Sequence, residues 1–313
     1  MPEAHRSRRV ALPESRPMGE DLHLVNVLYF SVIHLLPLGA FFSGVTRSSV
    51  VACLVLYFVR IFFITAGYHC YFSHRAFRAG RVIQFVLALG AQSSGQGSAL
   101  KWAAAHRHHH ANSGSPTDLH SPEQRGFWYS HMGWLLNRRY ERVISSRPKY
   151  LTKFPELVWL DRYFYLPMIV LAALTGTLLG WPGLFVGFGL STVLTFHATF
   201  CVNSLCHLFG TRRYDVSDDS RNNWFVALVM LGGGWHNNHH RCPRSARQGI
   251  LWWEMDVTYY VLRALACFHV IGDIYEPAAR MRYANGGSVA GHVEPLRPAS
   301  SRLTAALTRH AER

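Results

Sequence analysis

Two apolar stretches, Leu24 to Phe42 and Ser49 to Gly67, stand almost back to back, and the few residues between them carry Arg47 as their sole charge. Each is close to the roughly 20 residues that take a helix across a bilayer core. His34 and Pro37 interrupt the first, and Arg60 is the one charge in the second. A second pair follows downstream, Tyr165 to Leu179 and Leu184 to Thr199, joined at the uncharged turn Gly180-Trp181-Pro182-Gly183. In lipid the backbone must satisfy its own hydrogen bonds, so all four stretches are read as helices. The pattern predicts an all-α integral membrane protein with four transmembrane helices in two hairpins, spans near 24–42, 49–67, 165–179 and 184–199, and a cytoplasmic helical cap.

Charge follows the same division. Only 16% of residues are charged and 49% are hydrophobic, where a soluble chain has about a quarter charged. The formal net charge of +14 concentrates in residues 1–20 (Arg6, Arg8, Arg9, Arg16) and in the loop 101–162, which includes Lys101, Arg107, Arg125, Arg138, Arg139 and Arg142. The positive-inside rule then puts both termini, this loop and everything after residue 200 on the cytoplasmic side of the inner membrane. Lys and Arg do not interleave with aromatics on one compact segment, which argues against a nucleic-acid partner. The six cysteines form no C-x-x-C pair and are read as reduced, small apolar residues. Val82 to Leu100 turns polar and Gly-rich halfway and is expected to be re-entrant or interfacial, and Ile250 to Cys267 an aromatic interfacial helix or a cap over the site. Residues 1–20 are expected to be a disordered cytoplasmic tail and 285–313 a mobile C-terminal tail.

The histidines carry the chemistry. In His106-Arg107-His108-His109-His110, helical geometry puts His106 and His110 on one face and His109 about a third of a turn away, so one helix serves two metal ions. The arithmetic recurs in His236-Asn237-Asn238-His239-His240. His69 and His74, five apart, would be rotated by about 140° on an α-helix and are expected to reach different metals. Asn203 and His207 lie one turn apart. Ligand type alone leaves the metal open, but nine imidazoles in four segments (His69, His74, His106, His109, His110, His207, His236, His239, His240) fit two ions with room for oxygen. A ferritin-like carboxylate site needs two Glu-x-x-His motifs, and the chain has one, Glu20 to His23. His23, His34, His131, His197 and His269 are read as hydrogen-bonded interfacial residues, and His108 and His120 stay ambiguous. A histidine-rich metal transporter is the non-enzymatic alternative, but such sites lie near the bilayer midplane and these histidines lie beyond the spans.

Taken together, His69-x-x-x-x-His74, His106-Arg107-x-His109-His110 and His236-Asn237-x-His239-His240, with Asn203 and His207 between, resemble the histidine boxes of membrane-bound fatty-acid desaturases of the stearoyl-CoA type. Gly67-Tyr68-His69, Phe72-Ser73-His74-Arg75 and Ser130-His131-x-Gly133-Trp134-Leu135-Leu136 extend the likeness, making 21–284 the desaturase domain. The resemblance implies a di-iron centre held by the nine histidines, with Asn203 reaching an iron through a water. It implies O2-dependent removal of two hydrogens from a saturated acyl chain, giving a cis double bond, commonly at Δ9. A fatty-acyl hydroxylase on the same scaffold is the nearer alternative. Animal acyl-CoA members carry an Arg and an Asp where this chain has Ala104 and Ala105, so the carrier is CoA or a phospholipid. Arg138 and Arg139 keep the family's basic pair and are expected to meet an anionic head group. No His-Pro-Gly-Gly of a fused cytochrome b5 occurs, so the expected electron donor is a separate ferredoxin- or flavin-type protein.

Overall fold

A computed structural model describes residues 21–277 and 293–295. The expected N-terminal tail lies outside the described residues, as does the C-terminal tail except for Val293–Pro295, a strand paired antiparallel with Tyr275–Pro277. The chain is mainly helical, and three described helices are long and apolar enough to cross a membrane: α1 (Leu24–Ser43), α2 (Arg47–Ser73) and the 43-residue Leu166–Leu208. Pro37 tightens the middle of α1 into a 3₁₀ turn over Leu36–Gly39. Thr46 and Ser49 form a reciprocal capping box that starts α2. The last eleven residues of α2, Phe63–Ser73, wind as a π-helix.

The expected third and fourth spans lie together within Leu166–Leu208, which is interrupted at Gly180 (φ 68°, ψ −163°), a conformation open essentially to glycine alone. A Cβ on Gly95 would meet both Met168 Sδ (2.7 Å) and Phe196 Cε1 (3.6 Å), atoms that a straight helix would separate by about 42 Å.

Between α2 and Leu166–Leu208 the chain forms α3 (Arg81–Gln92), α4 (Ala99–Asn112), α5 (Phe127–His131) and α6 (Arg138–Ser145). We call Leu166–Leu208 α7. It is followed by α8 (His236–Arg241) and α9 (Val257–Cys267). The main core joins α2, α3 and α4 through Ile61, Ile64, Tyr68, Leu87, Leu100 and Ala103. Small side chains allow that approach: a Cβ on Gly67 would stand 3.1 Å from Leu87 O. Buried among the spans, Arg60 donates from Nη1 to Thr192 Oγ1 (2.7 Å), from Nη2 to Ser191 Oγ and from Nε to Leu56 O (3.0 Å), so this guanidinium ties α2 to α7 without a carboxylate.

Two local expectations change. The stretch 82–100 is one twelve-residue helix, α3, then a loop, then the first turn of α4, where Ser98 caps Lys101 N. In 250–267 only the part after Asp256 is helical. Glu254 and Asp256 are buried, their oxygens accepting from Ile250, Leu251, Gln248 and Gly249 N–H groups. Trp252 and Trp253 point outward as expected of membrane anchors.

Candidate metal centre

Four segments deliver nine imidazoles to one place. The π-helical end of α2 supplies His69 and, as its capping residue, His74, α4 supplies His106, His109 and His110, the end of α7 supplies His207, and α8 supplies His236, His239 and His240. They sort into two groups whose ligand atoms lie within 4.8 Å of one another: His69, His74, His106, His110 and His239 in one, and His109, His207, His236 and His240 in the other. The face arithmetic for α4 holds, with His106 and His110 on one group and His109 on the other. Helix α8 divides its histidines in the opposite sense.

The expectation for His69 and His74 is corrected, because both belong to the five-histidine group. In a π-helix residues i and i+5 stack, and here His74 N–H donates to His69 O at 3.2 Å. The rings stand 4.9 Å apart, so the extra residue per turn converts a 140° mismatch into one shared face.

Facing Nε2 atoms are 2.8 Å apart for His74 and His106, 3.0 Å for His69 and His239, 3.0 Å for His239 and His110, and 3.1 Å for His207 and His236. With metal–nitrogen bonds near 2.1 Å, octahedral neighbours are separated by about 3.0 Å and tetrahedral ones by about 3.4 Å. The donor set fits six-coordinate ions. Buried polar atoms without a hydrogen-bond partner include His109 Nε2 and His239 Nδ1, and His109 Nε2 faces the four-histidine group, where a metal would take it. Burial among other imidazoles holds His74, His106, His110, His236 and His239 well below the usual histidine range, and burial lowers His240 too, so the nitrogens are neutral donors.

Their orientation is fixed from behind by residues that the motif reading missed. His109 Nδ1–H donates to Asp118 Oδ1 (2.9 Å) and His240 Nδ1–H to Asp218 Oδ2 (2.6 Å), which leaves each Nε2 lone pair for a metal. Burial pushes both carboxyls up, but the charge interaction and hydrogen bond with His109 for Asp118, and the hydrogen bond and charge interaction with His240 for Asp218, outweigh it and hold them below the ordinary carboxylate range. Gln248 Nε2 lies 3.4 Å from His69 Nδ1 while its Oε1 has no partner, and turning the amide over puts the oxygen where it accepts the Nδ1 proton. Between the α8 histidines, Asn237 accepts from Arg213 N (2.8 Å) and Tyr214 N (2.7 Å), and Asn238 donates to Gln248 O (2.9 Å) and Glu254 Oε2 (3.0 Å). The two Asn inside the His-Asn-Asn-His-His spacing were the available signal. A Cβ on Gly234 would stand 2.0 Å from Ala227 N, so only glycine lets α8 start here.

Asn203 lines the space between the groups with His69, His106, His109 and His236. His108 is outside both, its Nε2–H donating to Thr117 O (3.0 Å). His120 stands beside His109, ring centroids 4.2 Å apart, and His109, Asp118 and His120 form a third, overlapping cluster. His34, His197 and His131 hydrogen-bond in a row, His34 from the middle of α1 and His197 from within α7: His34 Nδ1–H donates to Phe30 O (2.7 Å), and the following links are 3.1 and 2.9 Å. Arg138 is exposed, but Arg139 is not where a head group could meet it. It is 6% exposed, and its Nη2 donates to Pro116 O at 2.8 Å. On α6 the two neighbours face opposite ways, so the basic pair is one surface cation and one internal strut.

A cavity of about 190 Å³ opens between the starts of α1 and α7 and runs inward past Tyr29, Trp134 and Phe200 to Trp102, His106 and Asn203. A smaller one of about 50 Å³ continues from Trp102, Thr199 and Asn203 towards Ile64 and Met230. Trp102, stacked on His106 (4.8 Å) and Tyr68 (5.4 Å), is the wall they share.

A buried histidine cluster able to hold metal, at the end of a largely apolar cavity, agrees with the sequence comparisons. The family model described as fatty acid desaturase matches residues 47–275. An sn-2 palmitoyl-lipid 9-desaturase of Nostoc sp. is 39% identical over 266 residues, 82% of this chain and 91% of that protein. An sn-1 stearoyl-lipid 9-desaturase of Anabaena variabilis is 36% identical, covering 78% and 91% of the two chains. An acyl-CoA 5-desaturase of Anemone leveillei is 34% identical, covering 82% and 80%. The chain is a member of the fatty acid desaturase family, an oxidoreductase that acts on fatty acyl chains.

Proposed function

We propose that this protein desaturates a saturated fatty acyl chain at Δ9 with a di-iron centre on the cytoplasmic side of the membrane. The observation that carries the reading is the division of nine inward-facing imidazoles into adjacent groups of five and four at the inner end of the cavity. His69, His74, His106, His110 and His239 would hold one iron, and His109, His207, His236 and His240 the other, with Asn203 completing the second through a water. Iron suits the set because electrons from the donor must be passed on to dioxygen, which requires a metal that changes valence and zinc does not. When bound, iron supplies the activation of O2 that removes two hydrogens from adjacent methylenes. The balance is RCH2CH2R′ + O2 + 2 electrons + 2 protons giving RCH=CHR′ + 2 H2O.

The chain's own residues do the rest. Tyr29, Trp134, Phe196 and Phe200 make an apolar sleeve for the acyl chain and keep bulk water from the metals. Gln96 donates to Thr199 Oγ1 (2.9 Å), fixing the polar edge where the two cavities meet. Asp118 and Asp218 keep His109 and His240 in the ligating tautomer. The Δ9 position draws on the two cyanobacterial relatives, both named as 9-desaturases. A four-span topology in two hairpins, with the active site cytoplasmic, draws on the break at Gly180 and on the charge asymmetry of the loops. Electrons come from a separate donor of ferredoxin or flavin type. Exposed Arg75 and Arg107, adjacent in sequence to His74 and His106, offer an acidic donor an approach to the five-histidine group.

Metal analysis of protein made with ample iron, together with fatty-acid analysis of the expressing cells, tests the proposal. We expect two irons per chain and new cis-9 monounsaturated acyl chains, absent with His109→Ala. Stoichiometric zinc without iron refutes the di-iron reading, and hydroxylated acyl chains in place of olefins refute the reaction.

A further inference from the structure

The cavity mouth holds one cation whose role the metal chemistry does not use. Lys101 is the only Lys or Arg among the described residues lining the cavity, and it sits half-buried at the outer end. Its ammonium lies 3.6 Å from the centroid of the Phe164 ring, the one contact within bonding range that its nitrogen makes among the described residues. That contact covers one face of the ammonium, and no hydrogen-bond acceptor among the described residues takes its N–H donors. Glu141, on the same rim, acts on Lys101 through its charge without bonding it, its Oε1 accepting from the neighbouring Asn26 Nδ2 at 2.9 Å. Asp161, also nearby, is engaged by Ser98 and by Arg147 Nε (3.0 Å).

The level of the mouth matters as much as its charge. Its rim includes Val25 and Asn26 in the first turn of α1 and Tyr165 just before α7, so it opens where two spans begin. Leu24, Val25, Leu28 and Leu166 around it are exposed and apolar, as lipid-facing residues are. Spans begin at head-group depth, where the phosphates of the same leaflet lie.

Resting on the desaturase reading, we propose that Lys101 is a specificity-determining residue that binds the phosphoryl group of a membrane glycerophospholipid, whose acyl chain enters the cavity sideways from the bilayer. Along α4, His106 and His110 lie five and nine residues beyond Lys101, about 7.5 and 13.5 Å at the helical rise, so the cation at the mouth and two of the metal-site histidines are carried on one helix.

The experiment uses the full-length, iron-loaded protein in proteoliposomes with a ferredoxin-type reductant. Three stearoyl substrates are compared: phosphatidylglycerol, the neutral monogalactosyldiacylglycerol, and stearoyl-CoA. We expect the wild-type preference for phosphatidylglycerol over the galactolipid, as a ratio of kcat/KM, to fall about tenfold or more in Lys101→Gln and to return in Lys101→Arg. Binding of phosphatidylglycerol bearing a parinaroyl chain, read by energy transfer from tryptophan, should weaken by the same factor without any turnover. A preference unchanged within twofold, an equal loss on the neutral lipid, or turnover of stearoyl-CoA alone overturns the proposal. Failure of wild-type protein to desaturate any of the three refutes the desaturase reading instead, and the binding measurement still decides the role of Lys101.

Discussion

The two histidine groups differ in what stands behind them, and the difference makes them separable. Asp118 and Asp218 both serve the four-histidine group, through His109 and His240, whereas no described carboxylate hydrogen-bonds a histidine of the five-histidine group. The group with fewer ligands therefore has the stronger donors. Replacing both carboxylates by Asn keeps the shape and removes the charge and the enforced tautomer. A lost partner of this kind typically lowers metal affinity 10–100-fold, about 1.4–2.7 kcal/mol. Two on one ion give roughly 10²–10⁴-fold, with coupling between them expected because they share the metal. The assay is iron per chain after equilibration with graded chelator. Asp118→Asn with Asp218→Asn should release one equivalent at chelator concentrations about a hundredfold or more below wild type while the second equivalent stays at its wild-type midpoint. Release of both irons together, or an unmoved first midpoint, would refute the assignment of the two carboxylates to one ion.

Other outcomes follow from named contacts. Thr192→Val removes the acceptor of Arg60 Nη1 inside the spans and should cost about 1–3 kcal/mol in detergent unfolding, with Thr192→Ser close to wild type; equal stability of the two variants counts against the contact. His197→Leu cuts both links of the histidine row and should lower thermal stability while iron remains at two per chain; lost iron would mean the row belongs to the metal centre. His108→Ala should keep both irons, since the His108 ring bonds to Thr117 O and lies outside both groups, and loss of an iron on metal analysis would overturn that placement. Arg139→Ala should lower the melting temperature several-fold more than Arg138→Ala, and the reverse order would contradict the burial of Arg139.

Much of this was legible in the residues because two periodicities are strict. The apolar runs of span length located α1, α2 as far as Gly67 and Leu166–Leu208 as far as Thr199, and the x-x-His-His spacing put His106 and His110 on one face of α4 and His109 on another, which is how the groups divide. What stayed hidden depended on backbone states that a pattern does not carry. The pairing of His69 with His74 requires a π-helix, and nothing in Phe63–Ser73 announces one. The inward turn of Arg139 depends on where α6 starts, which Asn137 sets by capping Arg139 N at 2.8 Å. Asp118 and Asp218 sit in loops, where position follows from long-range closure, so their histidine partners could not be read from spacing.

The crossed division of ligands has a mechanical consequence. Helix α4 gives two histidines to the five-histidine group and one to the other, while α8 gives one and two. Both helices therefore span the two ion sites, and a rotation of either moves ligands of both at once. Side chains on one helix turn are held at a fixed 100° per residue, so the distance between the sites is set by two rigid helices and is not adjusted by loops. Loops carry only the carboxylates and Gln248, which aim rings and do not position backbones. The buried amides of Asn237 and Asn238, each bonded on both sides, stop α8 from turning about its axis. The site thus takes the spacing of its two histidine groups from helix geometry and its asymmetry from Asp118 and Asp218, which both stand behind one group.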